Sequence, residues 1–212
     1  MTEVAYDVDL AVEFDRQLAA LVDKGYPDLT GLAESDFIAL ISPLRTTVTD
    51  LSASGAQRRI PFVLVVTGAR LPREQAFSRV QLKGKAGFTT MEPDDLARFA
   101  PIVDIELPAA TAYVLGDVDT GQDTLDVPPD AAMPTILAAG RSPLTLEEGI
   151  AVVTHYPDLL VSGNRFSMLG SRCGDRRVTA IWVSERRPRL GWCWGGAPHT
   201  WLGSASCGSR GT

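Results

Sequence analysis

"RFSMLGSRCGDRRVTAIWVSERRPRLGWCW", residues 165–194, decides the fold. Within it "RFSMLG", "RVTAIWVS" and "RLGWCW" alternate with a period of two, and the polar stretches "SRCGDR" and "ERRP" separate them. Alternation puts successive side chains on opposite faces of a strand. The stretch therefore predicts a three-stranded antiparallel meander. With Arg186 and Arg187 as a two-residue turn, Glu185 faces Pro188, Val183 faces Leu190, Ile181 faces Trp192 and Thr179 faces Trp194. Trp182, Ala180, Gly191 and Cys193 then share the other face. Cys193 points away from Trp192 and Trp194 in any register. The density of large side chains predicts that both of these tryptophans lie in a strand buried on both faces.

Upstream the period is helical. Val8, Leu10, Phe14, Leu18, Leu21 and Val22 recur at three- and four-residue spacing, which predicts an amphipathic helix ended by "KGYP". A second helix is expected near 33–42, with Phe37, Leu40 and Ile41 inward. "DLSASGAQRR" (50–59) reads as a polar loop. "IPFVLVVTG" (60–68) has five consecutive apolar residues between Pro61 and Gly68, the pattern of a strand covered on both faces. Pro72 and Pro93 open short helices, the second carrying its acids in the first turn. "AYVLGDVD" (112–119) reads as a strand and "PPDAAMPTILAAG" (128–140) as a helix. In "SPLTLEEGIAVVTHYPDLL" (142–160), Thr145 and Glu148 are spaced as a capping box, and Pro157 ends the helix. No strand runs through a glycine-rich turn into a helix, so no phosphate loop or dinucleotide fingerprint is expected.

The predicted class is α+β: N-terminal helices packed on a mixed, mostly antiparallel sheet that ends in the meander. A single domain is expected over 1–212, helical over about 1–45 and sheet-rich over about 160–207. Hydrophobic residues make up 45% of the 212, enough for a full core without disulfide staples. Three cysteines, no basic leader and no apolar run of about 20 residues point to a cytoplasmic protein with free thiols, not a membrane or secreted one. Arginine outnumbers lysine seventeen to three, a bias of GC-rich genomes.

Net charge is −6 and unevenly spread. Seven arginines fall within 165–189 (165, 172, 176, 177, 186, 187, 189), while 1–36 and 92–130 are acidic. The acidic total argues against nucleic acid, which needs net cationic contact. The arginines are expected on hairpins facing an acidic surface, and the preferred functional reading is a small-molecule or partner-binding domain. In it Arg172, Arg176 and Arg177 grip an anionic small molecule and Trp201 supplies a flat wall. The alternative is a metal-independent enzyme of secondary metabolism, with His199 in the loop "GGAPHTW" as general base and Cys193, Asp175 or a serine as partner. A second alternative is a structural zinc protein through Cys193, His199 and Cys207, although no pair of cysteines has the usual two-to-four-residue spacing. No cofactor is implied. Asp117, Asp119 and Asp123 have calcium-loop spacing, but Gln122 and Pro128 stand where that loop needs glycine and glutamate.

"TLEEGIAVVTHYPDLL", "GSRCGDRRVTAIWVSERRPRLGWCWGGAPHTWLGSASC" and the N-terminal "FDRQLAALVDKGYPDL" resemble an uncharacterised actinobacterial family, a domain of unknown function. The resemblance covers most of the chain. It implies a bacterial, cytoplasmic, single-domain protein and carries no reaction or catalytic residue.

Overall fold

The fold is described from a computed structural model, which describes residues 9–51, 59–67, 71–161 and 163–212. Val8, Gly68 and residues 52–58 of the polar loop, named above, lie outside the described residues. Helix α1 (Leu10–Asp23) starts under the Asp9 side chain, which accepts the backbone N–H groups of Ala11 and Val12. Gly25 stops it in the left-handed region at φ 73°, where glycine costs least. Pro27 does more than block α1: it sits in the first turn of a second short helix, α2 (Tyr26–Thr30). Helices α3 (Glu34–Ile41) and α4 (Leu44–Thr49) follow.

Strand β1 (Ile60–Val66) has every residue but Pro61 buried, as its unbroken apolar run requires. Next come α5 (Arg73–Ser78), β2 (Gln81–Leu82), β3 (Lys85–Ala86), β4 (Phe88–Thr89), α6 (Pro93–Ala97), β5 (Ala100–Pro101) and β6 (Ala112–Val118). Helix α7 (Pro129–Ala138) and the short β7 (Ser142–Pro143) lead to α8 (Leu146–His155). The expected capping box is present: Thr145 Oγ1 accepts the Glu148 N–H, and Glu148 Oε2 accepts the Thr145 N–H.

The meander is β8 (Phe166–Met168), β10 (Arg177–Ser184) and β11 (Arg187–Trp194), with β9 (Ser171–Arg172) in the first connection. Strands β12 (Gly203–Ser204), β13 (Ser206–Cys207) and β14 (Ser209–Gly211) end the chain. Two sheets dominate. One has the order β1-β6-β14 and is antiparallel. The other has the order β12-β8-β10-β11-β4, antiparallel in the meander and parallel at both edges.

Helix α8 lies between the two sheets. All of its residues except Glu147 are buried. It packs on β1, and Gly149 meets β8, where a Cβ would fall 1.9 Å from Met168 Sδ. Helix α7 covers the other face of the larger sheet, where Ala132 and Ile136 join Leu169 and Val178. Helices α3 and α4 pack against β6. The free edge of β1 is closed by side chains. Gln17 accepts from the Leu64 N–H and donates to Phe62 O, and His155 Nε2 meets Leu64 O at 3.0 Å. An open strand edge invites pairing with other chains, and here α1 and α8 occupy it.

Two expectations need correction. The hairpin turn is Glu185–Arg186, both with positive φ (55° and 60°), so Ser184 faces Arg187, Val183 faces Pro188, Ile181 faces Leu190 and Thr179 faces Trp192. Proline explains the shift. The pair that closes a two-residue turn exchanges two hydrogen bonds, and Pro188 has no N–H to give. The shift moves partners by two residues, so each side chain keeps its expected face. Secondly, Trp192 and Trp194 are not core: they are 37% and 53% exposed. They stand at the end of β11 and pack edge-to-face on each other, centroids 5.0 Å apart. Opposite them stands Arg177, whose guanidinium lies 5.5 Å from the Trp192 ring.

Two outcomes follow from this packing. Gly121 has φ 82°, and a Cβ there would lie 2.4 Å from Ser204 backbone atoms. Gly121→Ala therefore combines backbone strain with a main-chain clash and is expected to lower stability by more than about 2 kcal/mol in urea unfolding. Burial also holds the His155 imidazole down to about 4, against 6.5 ordinarily. The folded state thus resists a proton that the unfolded chain accepts. Above pH 6.5 the two states match. As pH falls from 6.5 towards 4, stability drops by up to about 3 kcal/mol. His155→Gln is expected to flatten that slope when unfolding is compared at pH 7 and pH 4.5; an unchanged slope contradicts the assignment.

Candidate functional site

Glu147 and Glu148 are adjacent on α8 but face different surroundings. Glu148 is fully buried. Beyond its cap bond it accepts from Tyr113 Oη at 2.7 Å and from Arg210 Nε and Nη2 at 2.6 and 2.9 Å. Burial and the carboxylate beside it push the Tyr113 phenol far above its ordinary value. Arg210 also donates to Ser142 Oγ and Pro143 O. The carboxylate is saturated with donors, so this cluster holds α8, β6 and β14 together and leaves no proton acceptor free.

Glu147 instead lines a half-open cavity of about 550 Å³ bordered by α1, α2, β1, α5, α6, β6 and α8. Leu21, Leu64, Val66, Leu96 and Ile150 make its wall apolar. The polar groups are few. Arg73 Nε donates to Glu147 Oε1 at 2.7 Å and Arg73 Nη1 to Leu96 O at 3.0 Å. The second oxygen, Glu147 Oε2, is buried and has no hydrogen-bond partner among the described residues. The Tyr113 hydroxyl is turned towards Glu148, and that of Tyr26 meets Thr154 Oγ1 at 3.2 Å. The Arg73–Glu147 pair closes on itself, Glu74 adds an acid at the exposed rim, and one carboxylate oxygen of Glu147 keeps an unused lone pair.

The residues singled out from sequence lie elsewhere. Arg172 Nη2 and Arg176 Nη2 stand 3.4 and 3.5 Å from the carboxylate of Asp130 on α7. Arg177 makes a two-pronged contact with Asp95 at 2.6 and 2.9 Å and bonds Asp175 as well. The Arg177 backbone N–H and the Cys173 thiol hold Asp175 at about 2. All three arginines thus face acids of their own chain. Trp201 is 39% exposed and stacks at a tilt with His199, centroids 5.3 Å apart. His199 Nε2 is buried without a partner among the described residues.

The zinc set of the second alternative, Cys193, His199 and Cys207, does not assemble among the described residues. Among the described residues no three of His, Cys, Asp and Glu are grouped to hold a metal ion. Cys193 packs on the α7 side of the larger sheet, whereas Cys207 lies in β13 against Ser142. Burial raises their thiols to about 11 and about 12, which disfavours the thiolates that zinc needs.

Residues 20–212 match DUF5701, a family of unknown function. The chain belongs to that family. No curated protein and no solved structure matches it. The DUF5701 match spans every wall of the cavity from α1 at Leu21 to α8. Among the described residues no helix is long and apolar enough to cross a membrane. The cavity, Arg73 and Glu147 were all missed in the sequence. The only signal was a second acid beside the capping glutamate, and an acid in a first helical turn is ordinarily explained by the helix dipole.

Proposed function

We propose that this DUF5701 chain binds a mostly apolar, uncharged small molecule in the cavity between β1, α5, α6 and α8. The carrying observation is the cavity itself: about 550 Å³ with an apolar wall, within the roughly 300–1,000 Å³ of small-molecule sites. The closed Arg73–Glu147 pair supports an uncharged ligand over an anionic one, because an anion would be desolvated beside Glu74 and Glu147 with the lining arginine already paired. The free oxygen of Glu147 favours a ligand with a hydroxyl or amide N–H at one end. A catalytic role for His199 has less support, since its Nε2 lacks a hydrogen-bond partner. One core cluster runs from Phe14 to Cys207, which supports a single domain. Three free cysteines support a reducing, cytoplasmic setting.

The test is titration with the neutral dye N-phenyl-1-naphthylamine, which brightens in apolar sites, followed by displacement with 1-decanol. Saturable brightening that 1-decanol reverses is expected. A linear, non-saturating response would remove the proposal.

A further inference from the structure

The outer face of the larger sheet carries a second grouping, remote from the cavity. Trp182 on β10 stands directly opposite Arg189 on β11. On its other side the β8 register, Ile181 to Phe166, brings Arg165 alongside Trp182 one step on. All three share one face. Trp182 lies across Gly191, where a Cβ would fall 2.4 Å from its ring. The guanidinium of Arg189 lies 5.3 Å from the Trp182 centroid. Trp201 meets Trp182 edge-on at 6.3 Å, and His199 stacks on Trp201.

Charge separates this group from its neighbours. Arg172, Arg176 and Arg177 each have a carboxylate partner. Arg165 and Arg189 have none among the described residues, and Arg189 reaches only the Thr90 hydroxyl at 3.1 Å. Arg165 Nε and Arg189 Nε are buried donors with no partner among the described residues, and His199 Nε2 is a buried ring nitrogen without one. Buried donors without acceptors are costly, and here Arg189 lies over the Trp182 ring while the strand register sets Arg165 on its other side. One indole flanked by unpaired guanidinium groups, with a second indole edge-on to it, matches a ligand that is itself flat and anionic.

We infer that Arg165, Trp182, Arg189 and Trp201 form a second binding site, for a small aromatic anion such as an aryl phosphate or aryl carboxylate. The ring stacks on the indoles while the anion takes the guanidinium donors. This inference does not rest on the cavity, whose walls include no tryptophan among the described residues.

The full chain is titrated with 1-naphthyl phosphate, 1-naphthol and inorganic phosphate, and the four indole N–H signals are followed by NMR. The phosphate ester should shift Trp182 and Trp201, leave Trp194 in place, and bind at least about tenfold tighter than either fragment. Arg165→Gln and Arg189→Gln should each weaken it about tenfold at an unchanged melting temperature, and added salt should weaken it further. Equal affinity for 1-naphthol, equal affinity for inorganic phosphate, shifts confined to Trp192 and Trp194, or no binding of the ester would each overturn the site.

Discussion

Glu148→Ala is expected to lower the unfolding free energy by about 3–5 kcal/mol, and Arg210→Ala by a similar amount. The Glu148 side chain is fully buried and that of Arg210 is 8% exposed. Deleting either leaves the other charge in the core without compensation. The loss includes the bonds to Tyr113, Ser142 and Pro143. A double replacement, Glu148→Met with Arg210→Met, removes both charges together. It should cost clearly less than the two alanine changes added, because the uncompensated charge is counted twice in that sum. Since Arg210 lies on β14, the single variants should also free the C-terminal strand to proteolysis before the rest unfolds. Urea unfolding of the four proteins checks this; single-variant losses below about 1 kcal/mol would mean that the cluster is not the tie between α8 and β14.

Ala151→Phe carries the second large effect. Ala151 lines the cavity from α8, and a ring placed there occupies the space assigned to a ligand. Where a side chain fills an existing void, burial outweighs overpacking, so the ligand-free variant should be at least as stable as the native chain. Ligand stabilisation should vanish. At a 1-decanol concentration about 100 times the dissociation constant, the native chain gains about 2.7 kcal/mol, and the variant should gain nothing measurable. Arg73→Ala is the milder companion. It removes the partner of Glu147 and should weaken neutral ligands more than it lowers stability, because the pair is about one-fifth exposed.

The sequence was readable wherever one local rule decided the outcome. Period two located β8, β10 and β11; the unbroken apolar run located β1; Thr145 and Glu148 located the start of α8. The register of β10 and β11 was also within reach, because the missing N–H of Pro188 excludes Glu185–Pro188 as the closing pair. Other features depend on what covers what. Trp192 and Trp194 read as core, yet the strand end that carries them holds Arg177 and its acids instead of an apolar helix face. Arg177 and Asp95 are 82 positions apart, so the pairing that occupies this arginine has no local trace. Arg210 lies in a tail of glycine and serine and gave no sign of a strand or a buried partner. A cavity is space that side chains leave unfilled, and composition and period do not register it.

The most direct measurement of the central claim is an NMR titration of protein labelled at isoleucine, leucine and valine methyls with 1-decanol. The expected result is a single saturable isotherm in the methyls of Leu64, Val66, Leu96 and Ile150, absent in Ala151→Phe. Unmoved cavity methyls, with shifts confined to exposed Val12 and Val161, would contradict the account.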